Sequence, residues 1–245
     1  MKVLLATGIY PPDIGGPATY AQNLARELSA RTVSVMVITY AHRNFQTPNL
    51  NFQTNSNAQI PNEKWNVIRV PKSGGPLLRW MRYAKALRQH AIDADAIIAF
   101  SSVSAGVPVW MAKNDTFPRT LLRLGGDFFW ERYTDRGGKK NLHEYYKRPP
   151  ALHWYTSIPM QRILRVFDHI VFSTRLQEEV YEKHYKNLPP HSVIGNAIPE
   201  GAPKLHDKHE PFRLLFLGRL VGFKNLPTLV RAVAAVREPP LRRNV

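Results

Sequence analysis

Short apolar runs alternate with stretches of helical period along most of the chain. Val3 to Thr7 predicts a first strand, and Pro17 to Ala30 a helix with proline at its first position. Val33 to Thr39 predicts a second strand. Ala41 to Lys64 is rich in Asn and Gln and has no period, which predicts a long surface loop. Asn66 to Val70 predicts a strand that leads to a helix from Pro76 to about Ala91. Ala94 to Phe100 predicts a buried strand, Val103 to Lys113 a helix, and Arg119 to Leu124 another strand. After a polar, aromatic stretch, Trp154 to Val166 has a helical pattern, His169 to Ser173 a strand pattern, and Leu176 to Lys186 a helical one. Such alternation predicts an α/β fold, a doubly wound and mostly parallel sheet covered on both faces.

The Pro- and His-rich segment from Pro199 to Pro211 breaks the pattern. It divides the chain into a first domain over 1–198, a linker over 199–211 and a second unit over 212–245. In the second unit Arg213 to Leu217 predicts a strand, Gly218 to Lys224 a basic loop, and Leu226 to Val236 a helix. One strand and one helix cannot bury a core, so this unit is expected to be an incomplete second domain.

Composition changes the picture little until charge is counted. With 245 residues, 44% apolar and 21% charged, the chain is long enough to bury a large core. No run approaches the roughly 20 apolar residues that span a bilayer. Met1 to Gly8 is too short for a signal peptide and has no cleavage site before Pro11-Pro12-Asp13. The chain has 0 cysteines, which excludes disulfides and thiolate metal sites and makes a cytoplasmic location the expectation. The net charge of +16 points to phosphate-bearing partners: nucleic acid, an anionic membrane surface or a phosphorylated substrate.

In an open α/β sheet, ligands bind beyond the carboxyl ends of the strands. After the first strand stands Gly15-Gly16-Pro17, where backbone can approach a ligand and a helix N-terminus offers N–H groups to an anion. The pattern recurs at Gly74-Gly75-Pro76, so it is unspecific, and the residues alone favour a plain turn. The dinucleotide fingerprint G-x-G-x-x-G is not found there, which argues against NAD. After the fifth strand stands Gly125-Gly126-Asp127-Phe128-Phe129-Trp130-Glu131. A carboxylate among aromatics suits sugar hydroxyls and the C–H face of a sugar ring, or else Asp127 caps a turn and the rings are core. In the second unit, Arg219 and Lys224 could stabilise the charge growing on a diphosphate leaving group, or form a solvated basic turn.

These segments, in this order, resemble the GT-B glycosyltransferases of the family-4-like group. The similar segments are Tyr10 to Gly16 with Ala21 to Leu28, Gly126-Asp127 with Trp130-Glu131, Ile194 to Ala197, and Leu215 to Leu220 with Lys224 to Leu226. The resemblance implies a Rossmann-like first domain on the acceptor side and a truncated second Rossmann-like domain that begins the donor side. It implies transfer of a sugar from a nucleotide diphosphate sugar to a glycan or lipid-linked acceptor, with retention and without a metal or other cofactor. Carried onto this sequence, Gly15 and Gly16 would face the donor and Asp127 would be the catalytic contact to its sugar. Arg219 and Lys224 would hold the diphosphate, and Trp130, Glu131 and Asn196 would add contacts to a sugar.

Two departures qualify the resemblance. Relatives carry paired glutamates eight positions apart late in the donor domain, whereas here Glu238 is the one acidic residue after Glu210. The Gly-His that usually precedes the second strand is replaced by Arg31-Thr32. The first departure leads us to expect a truncated chain, inactive alone, or one piece of a split enzyme whose donor domain another polypeptide supplies.

The helix from Pro76 carries its own signal. Between Lys64 and Ile92 there are seven Lys or Arg residues and no acidic one. At about 100° per residue, Arg79, Arg82, Lys85 and Arg88 fall on one side and Leu77, Trp80, Ala84 and Leu87 on the other. This is a helix packed on the sheet with its basic face in water, or a peripheral attachment to anionic lipid with Trp80 and Tyr83 at the interface. The stretch from Lys139 to Trp154 would extend that surface. Two readings compete with the enzyme: a non-catalytic remnant or binding subunit of a split glycosyltransferase, and a basic nucleic-acid-binding protein. For the latter no recognised motif is present, so nucleic acid is not expected as a partner.

Overall fold

The computed structural model describes residues 1–41, 64–150, 153–197, 214–218 and 220–237. Most of the expected loop at Ala41–Lys64, the linker at 199–211 and Arg219 therefore lie outside the described residues.

Strand β1 (Lys2–Thr7) is followed by helix α1 (Gly16–Ala30), then β2 (Ser34–Tyr40) and β3 (Asn66–Val70). Next come α2 (Gly75–Ala91), β4 (Ala96–Phe100), α3 (Gly106–Ala112) and β5 (Arg119–Leu124). The chain continues through α4 (Phe128–Asp135), α5 (Leu142–Lys147), α6 (His153–Leu164), β6 (His169–Phe172), α7 (Arg175–His184) and β7 (His191–Val193). A 3-10 turn over Gly222–Lys224 and α8 (Leu226–Arg237) complete the described elements.

The strands form a single sheet in the order β3-β2-β1-β4-β5-β6-β7, and every pairing is parallel. A parallel sheet hides both faces under its crossover helices, which is why β1 is a near-continuous apolar run rather than an alternating one. Its successive side chains still divide between the faces. Leu4 and Ala6 join the core shared with Ile38, Ile68, Tyr83, Leu87 and Ile97. Val3 and Leu5 join the opposite core with Val35, Val37, Phe100, Ala21 and Ala25.

On that second face α1 lays down Ala21 and Ala25, spaced at helical period, and their small size brings the helix close to the sheet. On the first face α2 buries Tyr83 completely, and its hydroxyl donates to the carbonyls of Thr7 (3.0 Å) and Ile38 (2.5 Å). Burial pushes that hydroxyl well above its ordinary pKa, followed by the nearby Tyr40, so it stays protonated and donating.

Three elements escape the periodicity reading: α4, α5 and β7. Two expectations are corrected. Residues 214–217 form no strand, and Leu214, Leu215 and Leu217 stand exposed, because an apolar run with no neighbour to take its backbone hydrogen bonds is not stable as a strand. Tyr83, expected at a membrane interface, is core, because it shares the face of Leu87 four residues on.

Candidate active site at the strand tips

From β1 the chain winds outward to β2 and β3 on one side, and through β4 to β7 on the other. The carboxyl ends of β1 and β4 therefore flank the point where winding reverses, the place where such sheets bind ligands. The loops there close tightly: a Cβ on Gly8 would collide with the Ser104 side chain. Ser101, directly after β4, sits at φ 93°, a region a non-glycine residue occupies only at a cost. Its N–H donates to the Arg123 carbonyl at 3.2 Å, and its hydroxyl accepts from the N–H groups of Val103 and Ser104 at 3.4 Å each.

Gly15 is the N-cap of α1, and no side chain caps that end. Its backbone is extended, and a Cβ there would touch the Ile9 side chain at 2.7 Å. Gly16 is exposed, and nothing stands within 4 Å of where its Cβ would be. Pro17 has no N–H to lose at this position. The free N–H groups of a 15-residue helix are thus offered beside an open patch of backbone.

Asp127 follows β5 and is only 3% exposed. Its Oδ1 accepts from the Trp130 N–H at 2.7 Å, which makes it the N-cap of α4. Its Oδ2 accepts from the hydroxyls of Tyr146 (2.5 Å) and Tyr181 (2.8 Å). Tyr185 packs behind, its hydroxyl 3.4 Å from that of Tyr146. Burial, and then the charges and hydroxyls beside it, push the Tyr146 hydroxyl well above its ordinary value. Tyr181 is raised in the same way, by burial first and Asp127 second. His184, edge-on to Tyr146 at 4.7 Å, is pushed down by burial against the pull of Asp127. Asp127 is thus the N-cap of α4, as the capping alternative expects, and each of its carboxylate oxygens accepts a hydrogen bond within the protein.

The other expected residues scatter. Trp130 is half-buried and its indole N–H donates to the Lys140 carbonyl at 2.9 Å. Glu131 folds its carboxylate against Gly126, filling the space a Cβ there would need. Gln177 on α7 holds the Gly126 carbonyl at 2.9 Å. Asn196 is exposed beyond β7 and accepts from Arg123 at 2.9 Å. Lys224 is exposed in the 3-10 turn, and that turn lies against the end of α4: a Cβ on Gly222 would come 2.9 Å from the Thr134 carbonyl.

Helix α2 departs from the simple wheel. Arg79 is half-buried, its guanidinium 5.8 Å from the Tyr40 ring and 6.0 Å from that of Trp80. Arg82 donates to the Ser73 carbonyl (2.8 Å), and Arg88 to the carbonyls of Met111 (2.6 Å) and Ala112 (3.2 Å). Lys85 is exposed, as are Leu77, Leu78 and Met81, so the exposed face is mixed rather than purely basic. Among the described residues no helix is long and apolar enough to cross a membrane, and no group of three or more His, Asp or Glu gathers to hold a metal.

A match to the Glycosyl transferase 4-like domain covers residues 15–197, from the N-cap of α1 to the segment that contacts Arg123. The chain belongs to that family. The glycosyl transferase 4-like domain has a fold similar to sucrose-phosphate synthase from Thermosynechococcus elongatus, with TM-score 0.55 and 14% identity. That likeness covers 79% of this chain and 47% of the synthase, so the chain spans about half its length. A second structure of the same synthase is similar at TM-score 0.51 and 10% identity, covering 80% of this chain and 90% of that one. Comparison with curated proteins finds no match. Family and fold agree with the GT-B resemblance.

The sequence did not single out Arg123 or Ser101. The signal for Arg123 was a charged residue among the leucines that end β5. The positive φ of Ser101 left no mark in residue type.

Proposed function

We propose that residues 1–198 are the acceptor-side domain of a glycosyltransferase that uses a nucleotide diphosphate sugar, and that 212–245 begin its donor-binding domain. Family membership supports sugar transfer. The observation that carries the donor reading is the uncapped N-terminus of α1, where exposed Gly16 leaves room for a phosphate-bearing ligand beside the winding reversal. Transfer is retaining and needs no metal. Lys224 and Arg219 supply positive charge to the departing diphosphate, where preorganised donors gain most as charge develops. Glycan or lipid-linked acceptors fit an enzyme at the inner face of the membrane.

A second reading is a binding subunit completed by another chain. The exposure of Leu214, Leu215, Leu217 and Leu220 favours it, since apolar residues gathered in one segment mark a surface that another segment covers.

Incubation with a panel of nucleotide sugars, with nucleoside diphosphate release as the readout, tests both. Release by the chain alone establishes the enzyme. Release that needs an added donor-domain polypeptide establishes the subunit. No release in either case, together with no binding of any nucleotide sugar, overturns the proposal.

A further inference from the structure

Arg123 stands on β5 between Leu122 and Leu124 and is only 5% exposed. Its Nη2 donates to the Asn196 side chain at 2.9 Å, and its guanidinium lies 5.0 Å from the centre of the Tyr20 ring. Its Nη1 is buried with no hydrogen-bond partner. Among the described residues no carboxylate pairs with it. A guanidinium cannot shed its proton, so this charge is buried permanently, and among the described residues no counter-charge meets it.

Its location gives the cost a purpose. Arg123 is next to last on β5, paired with Phe100 at the end of β4, beside the winding reversal. Tyr20, whose ring it covers, lies on α1 close to the uncapped N-terminus at Gly15 and Gly16. The neighbouring Ser101, whose N–H bonds the Arg123 carbonyl, carries the strained φ of 93°. Asn196 belongs to the exposed stretch beyond β7, so the amide oxygen on Nη2 is one an incoming ligand oxygen can replace.

We propose that Arg123 is the anchor of an oxyanion subsite, taking a phosphate group in two-pronged fashion through Nη1 and Nη2 while Asn196 gives way. This deepens the reading above: a substrate of the transferase bears a phosphate at the tip of β5. Both a phosphorylated acceptor and the donor diphosphate supply that chemistry.

The probe is inorganic phosphate, titrated against the whole chain at constant ionic strength, with thermal unfolding and calorimetry as readouts. Wild type is expected to bind saturably and to unfold at higher temperature as phosphate rises. Arg123→Met is expected to lose that shift and roughly tenfold or more in affinity, while unfolding no earlier than wild type without phosphate, since it removes a buried charge that no described carboxylate pairs. Arg123→Lys should keep part of the affinity. Absence of saturable binding by wild type overturns the proposal, as does an undiminished phosphate response in Arg123→Met. Should Arg123→Met not fold, Asn196→Ala, at an exposed position, is the second variant. Freeing Nη2, it is expected to change phosphate affinity, and an unchanged value counts against the subsite. Adding a nucleoside diphosphate separates the sources: one-for-one displacement of phosphate assigns the donor, and simultaneous binding assigns the acceptor. Phosphate binding with no nucleotide-sugar binding, and no turnover alone or with an added donor-domain polypeptide, would sink the transferase reading and leave the subsite standing.

Discussion

The hydroxyl of Tyr181 on α7 donates to Oδ2 of Asp127 at 2.8 Å, across 54 positions of sequence. The same oxygen receives Tyr146 from α5, and the other oxygen caps α4, so one buried carboxylate ties three helices to the tip of β5. Removing it takes from two buried hydroxyls and a helix end the carboxylate that accepts from them. Asp127→Ala is therefore expected to lose about 3 kcal/mol of stability, and Asp127→Asn about half that, by chemical denaturation. Full stability in both variants, with activity lost, would instead make the carboxylate a sugar contact.

Why some of this could be foreseen follows from the physics of each element. Strands β1 to β6 and the long helices are specified by apolar period, which survives in any sequence that must cover both sheet faces. Helices α4 and α5 are short and rich in aromatics whose propensities favour no state, so their ends are fixed by caps. The Asn141–Glu144 capping box was legible by spacing alone. Strand β7 has three residues, none fully buried, after Pro189-Pro190, and shows no alternation. The role of Asp127 could not be chosen from sequence, because a cap and a sugar contact call on the same residue type. Arg123 reads in sequence as a lone polar residue among the leucines that end β5, and only the packing of Tyr20 and Asn196 shows it to be interior.

His191 places Nε2 3.0 Å from Glu182 and Nδ1 2.9 Å from the Pro189 carbonyl, two acceptors that favour a doubly protonated ring. Its pKa is raised above 6.5, first by the Pro189 bond, against burial, and then by Glu182 and Glu178. A raised folded value means its contribution is complete below 6.5 and is lost as pH rises through the folded pKa. NMR titration of His191 should show the elevation, and Glu182→Gln should lower it.

Asp168, at the opposite end of the sheet, accepts from the Thr120 N–H (2.7 Å) and hydroxyl (2.9 Å) and from Lys113 (3.1 Å). Burial pushes its carboxyl up, but these bonds and the Lys113 charge prevail and hold it below 3.8. Its stabilisation is present above 3.8 and fades as pH falls through the folded value. Lys113→Gln should begin acid unfolding at higher pH than wild type, followed by circular dichroism.

The mixed face of α2, with Lys85 beside Leu77, Leu78 and Met81, suits an anionic lipid surface. Binding to anionic vesicles is expected to weaken as salt rises and to fall further in Lys85→Glu. Equal retention by neutral vesicles would reject the electrostatic account.

The donor reading depends on bare backbone at the start of α1. Gly16→Val places a branched side chain in space that is otherwise open, so folding should be undisturbed. Calorimetric titration of wild type and Gly16→Val with the nucleotide sugar that proves active tests it most directly. Affinity should fall roughly tenfold or more in the variant at unchanged unfolding temperature. Equal affinity in the two proteins would contradict the account.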